Sequence, residues 1–163
     1  MSPVPVVLRH NESLELNLAE YLGSVTYEEL RDLAAFLAEN PSYLKRDCLS
    51  VVYSGCTFDT VDFSALDTLF SGYAALYAPI SFQIIRRSAW VCLSAAAQSY
   101  IDYWIIGRDA RGAMSTTLRH FTTYEEAGEW LVLSEAETLS LQTRVGFEIV
   151  ARFEHAPHQA PAR

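Results

Sequence analysis

Residues 49–77 read LSVVYSGCTFDTVDFSALDTLFSGYAALY, and this stretch decides the fold. The apolar run from Leu49 to Tyr53 has the length and composition of a buried strand. A short polar turn at Asp59–Asp62 follows, and apolar residues then recur at helical spacing until Pro79 ends the pattern. A strand that leads through a turn into a long helix is the building unit of a parallel α/β sheet.

The turn places one hydroxyl, Thr60, between two carboxylates, Asp59 and Asp62, at the start of the helix. Each of these side chains can cap the helix N-terminus through an oxygen, which contributes about 1 kcal/mol. Acids at this end also complement the helix dipole. The same position in an α/β protein suits a regulatory or ligand-facing group, so a capping role and a functional role both stay open.

Composition limits the classes of function. The chain has 163 residues, half of them hydrophobic, which predicts one packed domain. A net charge of −8 argues against a nucleic-acid binder and against docking on an anionic membrane. No window reaches the length of apolar residues that a transmembrane helix requires, so no membrane insertion is expected. Three cysteines without a C-x-x-C motif, and no signal-peptide pattern, favour a cytoplasmic location.

The rest of the chain alternates between strand and helix patterns. In chain order the further predicted elements are strands at Val4–Arg9 and Ser13–Tyr21, a capped helix from Thr26 to Asn40, a strand at Ile80–Ile85, a helix from Ala89 to about Ile106, a strand at Ser115–Phe121 and a capped helix from Thr122. Residues 135–142 either extend that helix or form another, and Val145–Phe153 reads as a strand without a readable place. We therefore predict an α/β fold with a mixed sheet of four to five strands flanked by helices, a single domain over residues 1–155 and a loose tail over 156–163.

Two stretches resemble a known family. The bacterial SpoIIAA-like proteins have similar segments: the first is Gly23-Ser24-Val25-Thr26-Tyr27-Glu28-Glu29-Leu30, and the second runs from Phe121 to Leu131. These are relatives of the STAS domain of anti-sigma-factor antagonists and sulfate transporters. The element order agrees over about residues 4–131, so the resemblance implies a SpoIIAA-like (STAS-like) fold.

The resemblance also implies a candidate phospho-switch. Sigma-regulating and sulfate-transporter relatives carry an Asp-Ser-Ser-Gly turn whose first Ser is phosphorylated by a partner kinase, and Thr60 falls at that place. Val61 and Asp62 depart from the pattern, and the added acid makes a phosphate harder to accommodate. The SpoIIAA-like branch generally lacks this switch. Relatives of the fold include lipid-binding types.

Two further clusters are candidate sites. Arg86, Arg87 and Ser88 are predicted to lie between a strand and a helix N-terminus, where two guanidiniums and backbone N–H groups could hold an anion. At the end of the predicted third helix, Tyr100, Tyr103 and Trp104 could line a pocket, form a dimer contact or simply pack in the core.

No catalytic or metal-binding motif is recognisable, so no enzyme activity, cofactor or metal is expected. We predict a non-catalytic regulatory or protein-interaction domain with an unidentified protein partner, self-associating as a homodimer through an apolar helix face. The alternative is a carrier or sensor of a small apolar or anionic ligand.

Overall fold

The computed structural model describes residues 4–58, 60–79, 86–111 and 116–155. Its elements are, in chain order, β1 (Val6–Asn11), β2 (Leu16–Tyr21), α1 (Tyr27–Glu39), α2 (Pro41–Leu44), β3 (Asp47–Val52), α3 (Phe63–Tyr77), β4 (Arg86–Cys92), α4 (Gln98–Arg111), β5 (Thr116–Phe121), α5 (Tyr124–Trp130), α6 (Glu135–Thr143) and β6 (Glu148–Phe153). Among these residues, no helix has both the length and the apolar character that crossing a bilayer requires.

The six strands form one mixed sheet in the order β5-β4-β3-β2-β1-β6. Strands β2 to β5 run parallel, whereas β1 is antiparallel to both of its neighbours. The predicted α/β class with a mixed sheet flanked by helices is confirmed. The predicted count of four to five strands is wrong, because residues 148–153 pair with β1 as a sixth strand at the edge.

Helices cover both faces of the sheet. On the first face α1, α3 and α4 bury an aromatic-rich core that includes Phe70 and Trp104. On the second face α5 and α6 pack Ala127 and Leu141 against alternate residues of β2, β3 and β4. Because parallel strands buried on both faces are apolar along their whole length, only their flanking turns mark them in the sequence.

One helix boundary was predicted wrongly for this reason. The sequence pattern predicts a helix from Ala89, but Arg86–Cys92 is the strand β4, which lies between β3 and β5, and α4 begins at Gln98. A continuous apolar run does not distinguish a buried strand from a buried helix by its periodicity. The strand predicted at Ile80–Ile85 lies outside the described residues. Residues 135–143 form a separate helix, which settles the alternative that the sequence left open.

The two helices on the second face touch at a glycine. A Cβ built on Gly128 in α5 would lie 2.3 Å from Thr138 Oγ1 in α6, well inside contact distance. Gly128 thus allows α5 and α6 to approach closely. Gly72 in α3, by contrast, has open space where its Cβ would lie.

Substitution of these two glycines tests the packing. We expect Gly128→Ala to lower the free energy of unfolding by about 1–3 kcal/mol, since the helices must separate. Gly72→Ala should raise it by about 0.5–1 kcal/mol, because glycine is a poor residue for a helix interior. Urea unfolding measures both. Equal stability of the two variants would contradict the close approach of α5 and α6.

Candidate functional site

The candidate switch turn is partly accounted for by helix capping. The Asp62 carboxylate accepts a hydrogen bond from the backbone N–H of Ala65 at 2.7 Å, so Asp62 caps α3. Thr60 is exposed in the turn two residues earlier. Asp59 lies outside the described residues. The capping role therefore falls on Asp62, and phosphorylation of Thr60 stays a prediction.

Arg86, Arg87 and Ser88 do not form the predicted strand-to-helix junction, because all three belong to β4. Adjacent strand residues point to opposite faces of the sheet. Arg86 is buried on the first face and donates Nη1–H to Leu44 O at 2.7 Å. Arg87 points to the second face, where its Nη2 pairs with Asp47 Oδ2 at 2.7 Å. The two guanidiniums therefore do not converge on one anion.

The predicted aromatic cluster divides between core and surface. Tyr100 and Trp104 are buried in the first core, and Tyr100 stacks on Phe58 with a centroid distance of 4.0 Å. The side chain of Tyr103 is half-buried and donates to Asp67 Oδ1 at 2.6 Å. Core packing, one of the three interpretations of the sequence, thus accounts for Tyr100 and Trp104, and neither is available to a dimer contact.

A small cavity of about 60 Å³ lies between α1, α3 and the sheet. Trp104 lines it on one side, and Ser50, Arg86 and Ser88 line it from the sheet. The volume suits about two to four waters. Pockets that hold drug-sized ligands are larger, at about 300 Å³ or more.

A charged network, which the sequence did not reveal, lies under α6 on the second face. The buried carboxylate of Glu20 accepts hydrogen bonds from Arg9 Nε at 2.7 Å, from Tyr53 OH at 2.5 Å and from Arg144 Nε at 2.9 Å. Arg144 ends α6 and also lies over the rings of Tyr53 and Tyr124. The network ties β1, β2, the residue that follows β3, and the end of α6 together.

Hydrogen bonding decides the charge state of this network. Burial acts to raise the pKa of Glu20, but the hydrogen bonds from Tyr53, Arg9 and Arg144 outweigh it, and the pKa is lowered from its ordinary value of 4.5. Burial, together with the hydrogen bond to Glu20, raises the pKa of Tyr53 to about 12. Near neutral pH the carboxylate is therefore ionised and the phenol is protonated, which is the arrangement of a structural anchor.

The cysteines offer no activated nucleophile. Burial raises the pKa of Cys56 to about 12, and it also raises the pKa of Cys48 and of Cys92. A thiol is nucleophilic only as a thiolate, so all three are held in the unreactive form. In the part of the chain that the structure describes, no group of three or more His, Cys, Asp or Glu side chains could hold a metal ion.

A groove of about 770 Å³ runs along the outer surface of α5 and α6. Two apolar side chains in it are largely exposed, Val132 at 78% and Leu139 at 60%. Three exposed acids, Glu125, Glu129 and Glu135, also line it. We call this surface the α5–α6 groove.

Val132 is conformationally strained. Its φ is 63°, in the left-handed region that a β-branched residue adopts only at a cost of about 1–2 kcal/mol. Val132 N donates to Glu129 O at 3.0 Å and Leu133 N to Gly128 O at 2.9 Å, which together form a Schellman motif. Glycine usually fills this position, because it has no Cβ and adopts positive φ without strain. Here the position holds a strained valine, whose apolar side chain is exposed to solvent.

No family model, curated protein or solved structure matches this chain. The resemblance to SpoIIAA-like proteins therefore rests on the two sequence stretches that carry it and stays a prediction. The architecture itself, a six-stranded mixed sheet with helices on both faces, comes from the strand pairing alone.

The Glu20 network gives a prediction with a defined pH dependence. Glu20→Gln should lower the free energy of unfolding by about 3 kcal/mol near neutral pH, because the guanidiniums of Arg9 and Arg144, both partly buried, lose a buried counter-charge. Since the pKa of Glu20 is lowered in the folded state, this contribution is present above about pH 4.5 and disappears as the pH falls through the folded pKa.

Urea titrations of wild type and Glu20→Gln near pH 7 and near pH 3 measure this difference. Glu39→Gln, at the exposed end of α1, is the matched control and should change stability by less than about 0.5 kcal/mol. A Glu20→Gln difference of the same size at both pH values would show that the charge of Glu20 is not what stabilises the fold.

Proposed function

We propose that the chain is a non-catalytic protein-interaction domain of SpoIIAA-like (STAS-like) type and that the α5–α6 groove is its contact surface. The observation that carries the proposal is Val132, which is both strained and 78% exposed. Leu139 adds a second exposed apolar side chain to the same groove. Exposed apolar surface that is rimmed by polar groups is typical of a protein contact site.

Stability does not account for this arrangement. Natural sequences agree with local rules over most of their length and depart from them at functional sites. Glycine in place of Val132 would relieve the strain, and a polar residue in place of Leu139 would remove apolar surface from water. The groove has both the strained backbone of Val132 and the exposed apolar side chain of Leu139, although each lowers stability. This combination supports a role in binding.

Several charged groups described above have structural roles, which supports a non-catalytic interpretation. Arg87 holds Asp47, Arg144 holds Glu20, and Asp62 caps α3. These interactions fix helices and strands to one another. In this interpretation the folded domain presents a surface and contributes no reacting group.

The small cavity favours a second candidate, the carrier of a small ligand. Its walls combine apolar and aromatic side chains with Ser50, Arg86 and Ser88, a mixture found in ligand sites. The indole nitrogens of Trp90 and Trp104, which also line it, are buried without hydrogen-bond partners among the described residues. At about 60 Å³, however, the cavity would take only a very small molecule, so we rank this function second.

Site-specific photo-crosslinking tests the interaction proposal. A benzophenone amino acid placed at Leu139, in cells that produce the protein, should form adducts with another polypeptide because this side chain lies in the groove. The same amino acid at Val145 is the matched control, since Val145 is 70% exposed but lies outside the α5–α6 groove. Mass spectrometry of the adducts identifies the partner and the crosslinked residue.

Adducts from position 139 that are lost when Val132 is also changed to Gly would support the proposal. Equal adducts from positions 139 and 145 would contradict it, because they would reflect general surface exposure. No adduct from position 139 would contradict it as well.

A further inference from the structure

We propose, on the basis of the function above, that the occupant of the α5–α6 groove is a basic amphipathic helix of a partner protein. Its apolar stripe would cover Val132 and Leu139, and lysine or arginine side chains on both flanks would meet the acids of the groove. Helix-in-groove binding of this kind uses apolar anchors at helical spacing.

The charge of the region argues for a cationic partner. Residues 121–143 contain five glutamates and no lysine or arginine. Three of these acids line the groove, Glu125 and Glu129 from α5 and Glu135 from α6. Complementary charge of this kind mainly sets partner choice and association rate.

The helix dipole does not explain all three acids. Glu125 and Glu135 lie in the first turns of their helices, where an acid is favourable in any case. Glu129 lies in the last turn of α5, where an acid opposes the dipole and a basic residue would be preferred. Glu129 is thus a second residue of the groove, after Val132, that is unfavourable for local structure: Glu129 opposes the helix dipole, and Val132 has a positive φ.

The apolar and acidic residues are arranged along the two helices. Glu135, Thr138, Leu139 and Gln142 follow one another at helical spacing on one side of α6. On the α5 side lie Tyr124, Glu125 and Glu129. Acids from both helices, beside exposed apolar side chains, fit a helix with basic residues on both flanks.

Two other occupants are less compatible with these charges. A second copy of this chain carries a net charge of −8 and would be repelled by the acidic groove. An anionic lipid surface would be repelled for the same reason. Crosslinking from Leu139 would detect a second copy directly, because the adduct would then contain two copies of this chain.

Designed peptides test the inference. The probe is a fluorescently labelled helical peptide with leucines at i, i+3, i+4 and i+7 and lysines on both flanks, made in several leucine registers. The comparison peptides carry glutamates in place of the lysines, or the same residues in scrambled order. Fluorescence anisotropy with the full chain should show binding of the Lys-flanked helices that weakens from about 0.1 M to about 1 M salt, as screening shortens from about 10 Å to about 3 Å.

Charge variants locate the contact. Glu129→Gln combined with Glu135→Gln should weaken binding of the Lys-flanked peptide by about tenfold. Glu12→Gln combined with Glu148→Gln is the matched control, because these exposed acids line a different groove beside β6, and it should leave the affinity unchanged.

The inference is overturned if Glu-flanked, scrambled and Lys-flanked peptides bind alike, if no register binds, or if the two charge variants behave alike. Adducts from Leu139 to an acidic partner or to a second copy of the chain would also overturn it while leaving the proposed interaction function intact. If the crosslink from Leu139 fails, the proposed function fails with it.

Discussion

The carboxylate of Glu20 is the interaction on which the second face of the sheet depends. It lies on the central strand β2 and accepts hydrogen bonds from Arg9, Tyr53 and Arg144, so a single buried charge joins two neighbouring strands to the end of α6. From β5 at one edge of the sheet the chain crosses this face as α5 and α6 and returns as β6 at the other edge. The network therefore fixes the connection that carries the α5–α6 groove.

The inner and outer sides of the same connection differ in character. The inner side is an ordinary packed core, with Ala127 and Leu141 buried and Gly128 making room for Thr138. The outer side has three locally unfavourable residues: Val132 with its positive φ, Leu139 with its exposed apolar side chain, and Glu129 with its charge against the helix dipole. A rigid inner side allows the outer side to keep strained and exposed residues without loss of the fold, which is the arrangement expected of a preformed contact surface.

Elements with clear end signals could be predicted from sequence, and non-local contacts could not. The strand, turn and helix of residues 49–77 and the helix that starts after Thr26 were readable because turns and caps mark them. Strand β4 was not, since a run buried on both faces lacks periodicity. Glu20 and Arg144 are 124 residues apart, and no spacing links them. The acidic run in residues 121–143 was a readable signal of the groove, whereas the left-handed backbone of Val132 was not, because valine rarely adopts it.

One substitution tests most directly whether Val132 is kept for binding. The account predicts that Val132→Gly raises the free energy of unfolding by up to about 1 kcal/mol, because strain at positive φ is relieved, while it weakens binding of the Lys-flanked peptide. Val145→Gly, at a position that is 70% exposed and has no positive φ, should not raise stability and should leave binding unchanged. Lower stability of Val132→Gly with undiminished peptide binding would contradict the account.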